Sequence, residues 1–284
     1  MSPSPSTPAV VCSGLSFDWP DGTPVLRGLD VAFDSGRTGI VGTNGSGKST
    51  LLRLIAGRLA PTAGAISTVG SVGYLPQDVA LGAGRTVAEL LGVADQRAAL
   101  HAVEAGDAAA VATVGDDGWD VEERAVAALA RFGLPTALDR PVGTLSGGEA
   151  VLTGLAGLLV RRPPVALLDE PTNNLDRRAR GLLYDAVATS PGVLLVVSHD
   201  RELLELVDSV AELRDGSVRL FGGRSRPTRS SSPRSRRRRS GSSGWRRRIC
   251  GVSSASWWRP GSSSTGGSAT PTPITPTSAV RRSS

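Results

Sequence analysis

A glycine-rich segment with a single lysine carries the clearest chemistry in this chain. GTNGSGKS, residues 42–49, matches the pattern G-x-x-x-x-G-K-[ST] at every fixed position. In this pattern the glycines turn backbone N–H groups towards phosphate oxygens, the lysine neutralises the terminal phosphates, and the serine hydroxyl suits Mg²⁺. The alternative interpretation is a flexible glycine loop. We predict a nucleotide-binding loop, with Ser49 also a metal ligand, made of Gly42, Thr43, Asn44, Gly45, Ser46, Gly47, Lys48, Ser49 and Thr50.

Two adjacent carboxylates end a short apolar run. VALLDE, residues 165–170, is typical of a buried parallel strand that finishes in Asp169 and Glu170. Asp169 is expected to hold Mg²⁺, and Glu170, one residue on, is expected to polarise an attacking water as a general base. A carboxylate pair at a strand end is by itself more often structural. Its pairing with the phosphate loop favours the hydrolytic interpretation.

A third polar segment, TLSGGE at residues 144–149, precedes a predicted helix. Its Ser-Gly-Gly can form a nest of backbone N–H groups for an anion. Alone, such a segment is most often a helix N-cap with a tight turn. Here it lies 20 residues before Asp169 and Glu170, and that combination indicates nucleotide chemistry.

The elements that must position these residues alternate between strand and helix. The apolar runs at 38–41, 165–170 and 193–200 are predicted strands, and STLLRLIAGRL after the phosphate loop is a predicted amphipathic helix. This order predicts an α/β domain with a mainly parallel sheet. Residues 84–135 are rich in alanine at helical spacing, which predicts a helical insertion.

Together, these segments resemble the nucleotide-binding domain of an ATP-binding cassette (ABC) protein over about residues 10–222. The resemblance implies a P-loop NTPase fold with an antiparallel β subdomain beside the parallel core sheet and a helical insertion at about 84–160. It implies ATP and Mg²⁺ as the bound groups. We predict a disordered leader at 1–8, the cassette at 9–223 and a disordered, low-complexity basic tail at 224–284.

The resemblance also assigns roles to individual residues. It implies that Gln77 contacts Mg²⁺ and the attacking water, that His199 senses the γ-phosphate, and that Asp176 lies in the loop linking the two sites of a dimer. Trp19 is the expected adenine-stacking residue, and Phe17 is assigned to the core. The expected catalytic residues are Glu170, His199 and Gln77, the metal ligands are Ser49, Gln77 and Asp169, and the signature that closes on the opposite ATP is Leu145, Ser146, Gly147, Gly148 and Glu149.

The helix after the signature departs from the family pattern. Leu152 and Gly157 occupy positions where the family usually has arginines, which predicts altered positioning of the signature. The chain has one phosphate loop and one signature, and these belong to two different half-sites. We therefore expect a second cassette as partner, either in a homodimer or in a lost second half.

Three segments favour one branch of the family. DEPTNNLD at 169–176, SHDRELLELV at 198–207 and ELRDGSVRLFGG at 212–223 resemble soluble ABC-F proteins, many of which act on the ribosome. This predicts a ribosome or rRNA partner and a role in translation or ribosomal protection against antibiotics. The alternative is the ATP-binding subunit of a membrane transporter, with a permease as partner. A DNA-repair or cohesin-like ATPase is disfavoured, because the gap from Gln77 to Ser146 is too short for a coiled coil.

Composition separates an acidic body from a basic tail. From Arg224 onward there are 14 arginines and no Asp, Glu or Lys, so residues 1–223 have 18 basic and 26 acidic side chains and a net charge of −8. The chain has two cysteines, which argues against a disulfide framework and favours a cytoplasmic location. No apolar run approaches the length of a membrane span, so no integral membrane segment is predicted.

Two interpretations of the tail remain open. One is an out-of-frame translation of the charged linker expected after an ABC-F cassette, because a one-base shift converts Trp257–Trp258 and its surroundings into a charged amphipathic helix. The gene's nucleotide sequence tests this hypothesis. The other is a basic arm that binds RNA, with strong salt dependence and with stacking by Trp245, Trp257 and Trp258.

Overall fold

The structure, a computed structural model, describes residues 9–79 and 84–222. The predicted leader at 1–8 and tail at 224–284 lie outside the described residues. A three-stranded antiparallel sheet has the order β2-β1-β4, in which β1 is Val10–Asp18, β2 is Pro24–Phe33 and β4 is Ala63–Thr68. This is the antiparallel sheet that the resemblance implies.

The core of the fold is a six-stranded sheet with the order β5-β6-β7-β3-β8-β9. The first five strands of this order are parallel and β9 is antiparallel, which confirms the predicted mainly parallel sheet. The strands are β3 Gly36–Val41, β5 Val72–Leu75, β6 Val165–Asp169, β7 Val193–Val197, β8 Ser209–Arg214 and β9 Ser217–Gly222.

Helices pack on both sides of this sheet. The segment after the phosphate loop forms α1, as predicted. A group of shorter helices falls within the predicted helical insertion and packs against the long helix α6. The helices are α1 Lys48–Ile55, α2 Val87–Leu91, α3 Ala94–Glu104, α4 Val111–Val114, α5 Val121–Arg131, α6 Gly147–Arg161, α7 Arg177–Ala188 and α8 Arg201–Glu205. Among the described residues, none of the helices combines the length and the apolar character that crossing a membrane requires.

The central strands β6 and β7 contribute side chains to two hydrophobic cores, one on each face of the sheet. Every residue of β6 and β7 is buried, and alternate side chains point to opposite faces of the sheet. Val165 and Leu167 join the core formed with α1 and the antiparallel sheet. Ala166 and Leu168 join the core formed with α6 and the inserted helices. This explains why the strands are continuous apolar runs rather than alternating ones.

Helix α6 approaches α2 closely because Gly157 has no side chain. A Cβ atom added at Gly157 would lie 2.5 Å from the carbonyl oxygen of Leu91 and 2.7 Å from its Cα. The other departure from the family pattern, Leu152, is a buried core residue. Both positions therefore lie in the buried packing of α6.

Candidate functional site

The phosphate loop lies at the carboxyl edge of the parallel sheet, between the end of β3 and the start of α1. Gly45 and Gly47 have φ of 80° and 95°, in the left-handed region that favours glycine. A Cβ added at Gly42 would lie 2.3 Å from the carbonyl oxygen of Leu213. The loop geometry therefore requires glycine at these positions.

The loop has the properties of an anion cradle. Helix α1 has no side-chain N-cap and no acidic residue in its first turn, so its first N–H groups are left for a ligand. The Lys48 Nζ donates to the carbonyl oxygens of Gly42 at 2.9 Å and Thr43 at 3.0 Å, which folds the ammonium back over the loop. Among the described residues, the Ser46 Oγ is buried without a hydrogen-bond partner. These features fit the phosphates of a nucleotide.

Asp169 lies fully buried at the end of β6, beside the loop. Its Oδ1 accepts a hydrogen bond from the Ser49 hydroxyl at 2.9 Å, and its Oδ2 accepts one from the Tyr74 hydroxyl at 3.2 Å. Burial raises the pKa of Asp169, and these two hydrogen bonds oppose that effect. Hydroxyl and carboxylate oxygens are the donor set that Mg²⁺ prefers, so Ser49 and Asp169 fit a Mg²⁺ site.

Glu170 follows directly and faces a histidine. It adopts a left-handed backbone conformation with φ of 46°. Its Oε1 lies 3.3 Å from the Nε2 of His199, which follows β7, the strand next to β6. Burial raises the pKa of Glu170 to about 7, against the lowering effect of the Lys48 charge. A carboxylate with that pKa can accept a proton from water near neutral pH.

Electrostatics link the loop to these side chains. Burial lowers the pKa of Lys48, and the charges of Glu170 and Asp169 raise it again. Burial and the Lys48 charge both lower the pKa of His199, which favours a neutral imidazole at neutral pH. The arrangement leaves the positive charge on Lys48, where the terminal phosphates of a nucleotide would lie.

Trp19 and Gln77, two other predicted site residues, follow strands β1 and β5. Trp19 is 36% exposed, follows β1 and contacts Phe17 edge-on with ring centroids 5.1 Å apart. The hairpin to which it belongs borders the phosphate loop, since a Cβ at Gly47 would meet Val25 at 2.8 Å. Gln77 is exposed, two residues after β5. Phe17 is buried, as predicted.

The signature residues line a different cavity from the carboxylates. Ser146 caps α6, its Oγ accepting from the Glu149 N–H at 3.2 Å, while Glu149 accepts from the Ser146 N–H at 2.7 Å. A cavity of about 560 Å³ is bordered by the signature from Ser146 to Glu149 together with Asn174 and Asp176. Leu145, which precedes the cap, is half-buried.

The loop from Glu170 to Asp176, which we call the 170–176 loop, therefore contacts His199 at its start and the signature cavity at its end. Glu170 at its start approaches His199, whereas Asp176 at its end borders the signature cavity and caps α7 by accepting from the Ala179 N–H at 2.7 Å. The structure thus brings together the phosphate loop, Asp169, Glu170 and His199, and it places the signature with Asp176. This separation is what two half-sites on one chain require.

The sequence analysis missed the contact between Tyr74 and Asp169. The two residues are 95 positions apart, and they meet because β5 and β6 are neighbours, with Leu75 paired to Leu168. The sequence signal for this contact was the hydroxyl of Tyr74 in a short, otherwise apolar strand.

Comparisons with known proteins agree with this geometry. The family model described as "ABC transporter" matches residues 26–173. The chain is similar to the tylosin resistance ATP-binding protein TlrC of Streptomyces fradiae, at 37% identity over 69% of this chain and 40% of that protein. It is also similar to the ABC transporter F family member 4 of Arabidopsis thaliana, at 34% identity over 74% of this chain and 28% of that protein. The chain thus spans less than half the length of these two relatives.

Transporter components are also among the relatives. The nickel import ATP-binding protein NikO of Rhodobacter capsulatus is 36% identical over 76% of this chain and 89% of its own length. A solved structure of an ATP-binding subunit of an ABC transporter has the same fold, with a TM-score of 0.59 and 24% identity over 75% of this chain and 90% of that one. The family match, the relatives and the geometry of the phosphate loop lead to one conclusion: this chain belongs to the ATP-binding cassette family.

Proposed function

We propose that this ATP-binding cassette hydrolyses ATP when a second cassette supplies the facing signature. The observation that carries the proposal is the grouping of Lys48, Asp169, Glu170 and His199 at one edge of the sheet, with the signature in a separate cavity. One chain therefore presents two incomplete halves. Either a second copy or a different cassette can complete each of them.

In this mechanism the phosphate loop and Lys48 hold the phosphates, and Trp19 stacks on the adenine. Mg²⁺, held by Ser49, Gln77 and Asp169, would neutralise charge on the terminal phosphates when bound. Glu170 takes the proton of the attacking water, and His199, 3.3 Å from it, orients Glu170 and contacts the γ-phosphate. The facing signature closes on the γ-phosphate with its N–H groups and serine hydroxyl before the water attacks, which excludes bulk water from the site.

The substitution Glu170→Gln tests the catalytic role. We expect ATP binding to persist and turnover to fall by at least about 100-fold, because the amide cannot accept the proton. Turnover of the unchanged protein should rise with pH through about 7, as Glu170 loses its proton. ATP binding is measured by calorimetry, turnover by phosphate release, and dimer formation by light scattering. Equal turnover in the variant would remove Glu170 from this role.

We propose further that the cassette is of the ABC-F type and acts on the ribosome. Two observations support this proposal. One is the amino-acid sequence of three segments, DEPTNNLD, SHDRELLELV and ELRDGSVRLFGG, and the other is the similarity to TlrC and to a plant F-family protein. On this proposal the partner is the ribosome or its RNA, and the role is translation control or protection against an antibiotic. Co-sedimentation of the Glu170→Gln variant with 70S ribosomes in the presence of ATP tests it. Absence of the protein from the ribosome pellet would contradict it.

The second candidate is the ATP-binding subunit of a membrane transporter. The similarity to NikO over 89% of that protein's length favours it. In this case a permease would dock on the cassette, and a permease gene next to this one would support the assignment. Co-purification with a membrane protein instead of ribosomes would decide for this candidate.

A further inference from the structure

Helix α7 joins the loop at the signature to the histidine at the catalytic site. At its start, Asp176 caps the helix and borders the signature cavity. Eight residues later, which is about 12 Å along a helix, the Tyr184 hydroxyl donates to the Oδ2 of Asp200 at 2.7 Å. Asp200 directly follows His199 in the chain. One rigid element therefore contacts both half-sites of the cassette.

Asp200 is fixed by several hydrogen bonds and an ion pair. Its Oδ1 accepts from the Leu203 N–H at 3.2 Å and so caps α8. Its backbone N–H donates to the Ser198 Oγ at 3.1 Å, and Arg180 lies 3.8 Å from its carboxylate. The side chain is only 12% exposed. The hydrogen bond from Tyr184 completes this set and links it to α7.

The residue before His199 is fixed as well. Ser198 is fully buried, and its Oγ lies 3.5 Å from the Oγ1 of Thr172, a buried residue of the 170–176 loop. His199 is thus flanked by two residues whose side chains are anchored to neighbouring elements. Its own imidazole is 31% exposed and faces Glu170. These anchors fix the backbone on both sides of His199.

We propose that Tyr184 and Asp200 are positioning residues, which hold His199 against Glu170 and tie it through α7 to the 170–176 loop. The inference rests on the proposed function, in which His199 and Glu170 act on ATP. Contact of a facing cassette with the 170–176 loop would shift α7, and Tyr184 would pass that shift to Asp200 and His199. In this way the facing cassette would adjust the contact of His199 with Glu170.

A structural alternative makes a different prediction. The Tyr184 ring also packs against the core formed with α6. If packing were its only role, phenylalanine would replace it without consequence for His199. The substitution Tyr184→Phe keeps the ring and removes only the hydroxyl, so it separates the two roles.

The chain has two histidines, His101 and His199, which makes the test direct. In the full chain labelled with ¹⁵N-histidine, without nucleotide and at one pH, each imidazole gives its own NMR signals, and His101→Asn assigns them. We expect Tyr184→Phe to shift or broaden the His199 signals and to leave those of His101 unchanged. His101 is a suitable internal reference because it lies in the inserted helices, 3.0 Å from Glu122.

Thr189→Ala is the matched control, at the C-cap of the same helix. It removes a hydroxyl that donates to the Asp185 carbonyl at 2.8 Å at the far end of α7, and we expect both histidine signals to stay in place. Unchanged His199 signals in Tyr184→Phe, or an equal change in Thr189→Ala, would overturn the positioning role. Asp176→Ala tests the link to the loop: a change at His199 supports it, and none overturns that part.

Turnover gives a second measurement. We expect Tyr184→Phe to lower kcat several-fold and leave KM for ATP unchanged, because Tyr184 lies outside the phosphate loop. A change in KM alone would contradict the proposal. Failure of the proposed function would appear separately, as absence of ATP binding in calorimetry, because the NMR test uses the nucleotide-free chain.

Discussion

Glu170 is held at an energetic disadvantage that its proposed catalytic role explains. The side chain is 14% exposed, and burial raises its pKa to about 7. The left-handed backbone at this position adds strain, since only glycine adopts it freely. A residue selected for stability alone would avoid both features. Both features support the proposed role of this carboxylate as general base.

The raised pKa of Glu170 predicts a stability that falls with pH. Between its ordinary pKa near 4.5 and about 7, the folded state holds a proton that the unfolded state has released, so stability decreases as pH rises through this window. Glu170→Gln removes the effect. We expect the variant to be more stable than the unchanged protein by about 1–3 kcal/mol at pH 8 and nearly equal at pH 4, as measured by urea unfolding.

Glu104→Gln is the control for this experiment, because Glu104 is exposed at the end of α3. It removes one negative charge without changing a buried group, and we expect little effect at either pH. A stabilisation of Glu170→Gln that is the same at pH 4 and pH 8 would show that the burial of charge is not the cause.

Tyr74→Phe should remove one of the hydrogen bonds that stabilise the Asp169 carboxylate. The hydroxyl donates to a fully buried carboxylate, so its loss leaves Oδ2 without that donor. We expect a destabilisation of about 1–2 kcal/mol at pH 8, measured by urea unfolding. Because the hydrogen bond favours the ionised carboxylate, the loss should shrink at acid pH, where Asp169 is protonated. A loss of equal size at both pH values would indicate packing instead.

At the scale of elements, much of the fold follows from local patterns. The runs at 165–170 and 193–200 contain β6 and β7, with Ser198 to Asp200 lying beyond the end of β7, and the segment after the phosphate loop forms α1. The pattern could not reveal pairs such as Tyr74 with Asp169 or Tyr184 with Asp200. These contacts depend on which strands lie side by side and on how a helix is rotated, and neither is encoded within a short window of sequence.

The close packing of α2 on α6 predicts an unusual response to alanine. Gly157→Ala should destabilise the protein by about 1–3 kcal/mol, because the added Cβ would lie 2.5 Å from backbone atoms that cannot move independently. In α7, Gly181 has no atom within 4 Å of an added Cβ, so Gly181→Ala should stabilise by up to about 1 kcal/mol. Thermal unfolding of the two variants measures both signs. Stabilisation by both substitutions would contradict the packing argument.

At the scale of the whole molecule, acidic and basic charge are separated along the chain. Residues 1–223 have a net charge of −8, and the 14 arginines that follow dominate the composition. The proposed ATP site lies wholly within the described residues. We therefore assign nucleotide binding to the acidic part of the chain and regard the arginines as a separate property.

A chain shortened after Gly222 tests this division. We expect its affinity for ATP to match that of the full chain within about twofold, and its binding of RNA at low salt to be lost. Because the arginines bind any polyanion, RNA binding by the full chain should fall steeply with salt. Fluorescence titrations with labelled ATP and labelled RNA measure both. RNA binding that survives at physiological ionic strength would favour a functional basic arm.

Lys48, tethered to the carbonyls of Gly42 and Thr43, is also the only lysine in the chain. A lysine-specific protease therefore has a single peptide bond to cut, and it lies where the phosphate loop enters α1. The bond is protected while Lys48 is 8% exposed and becomes accessible when the loop opens. The rate of that one cleavage is a direct measure of how often the loop unfolds, and a bound nucleotide should slow it.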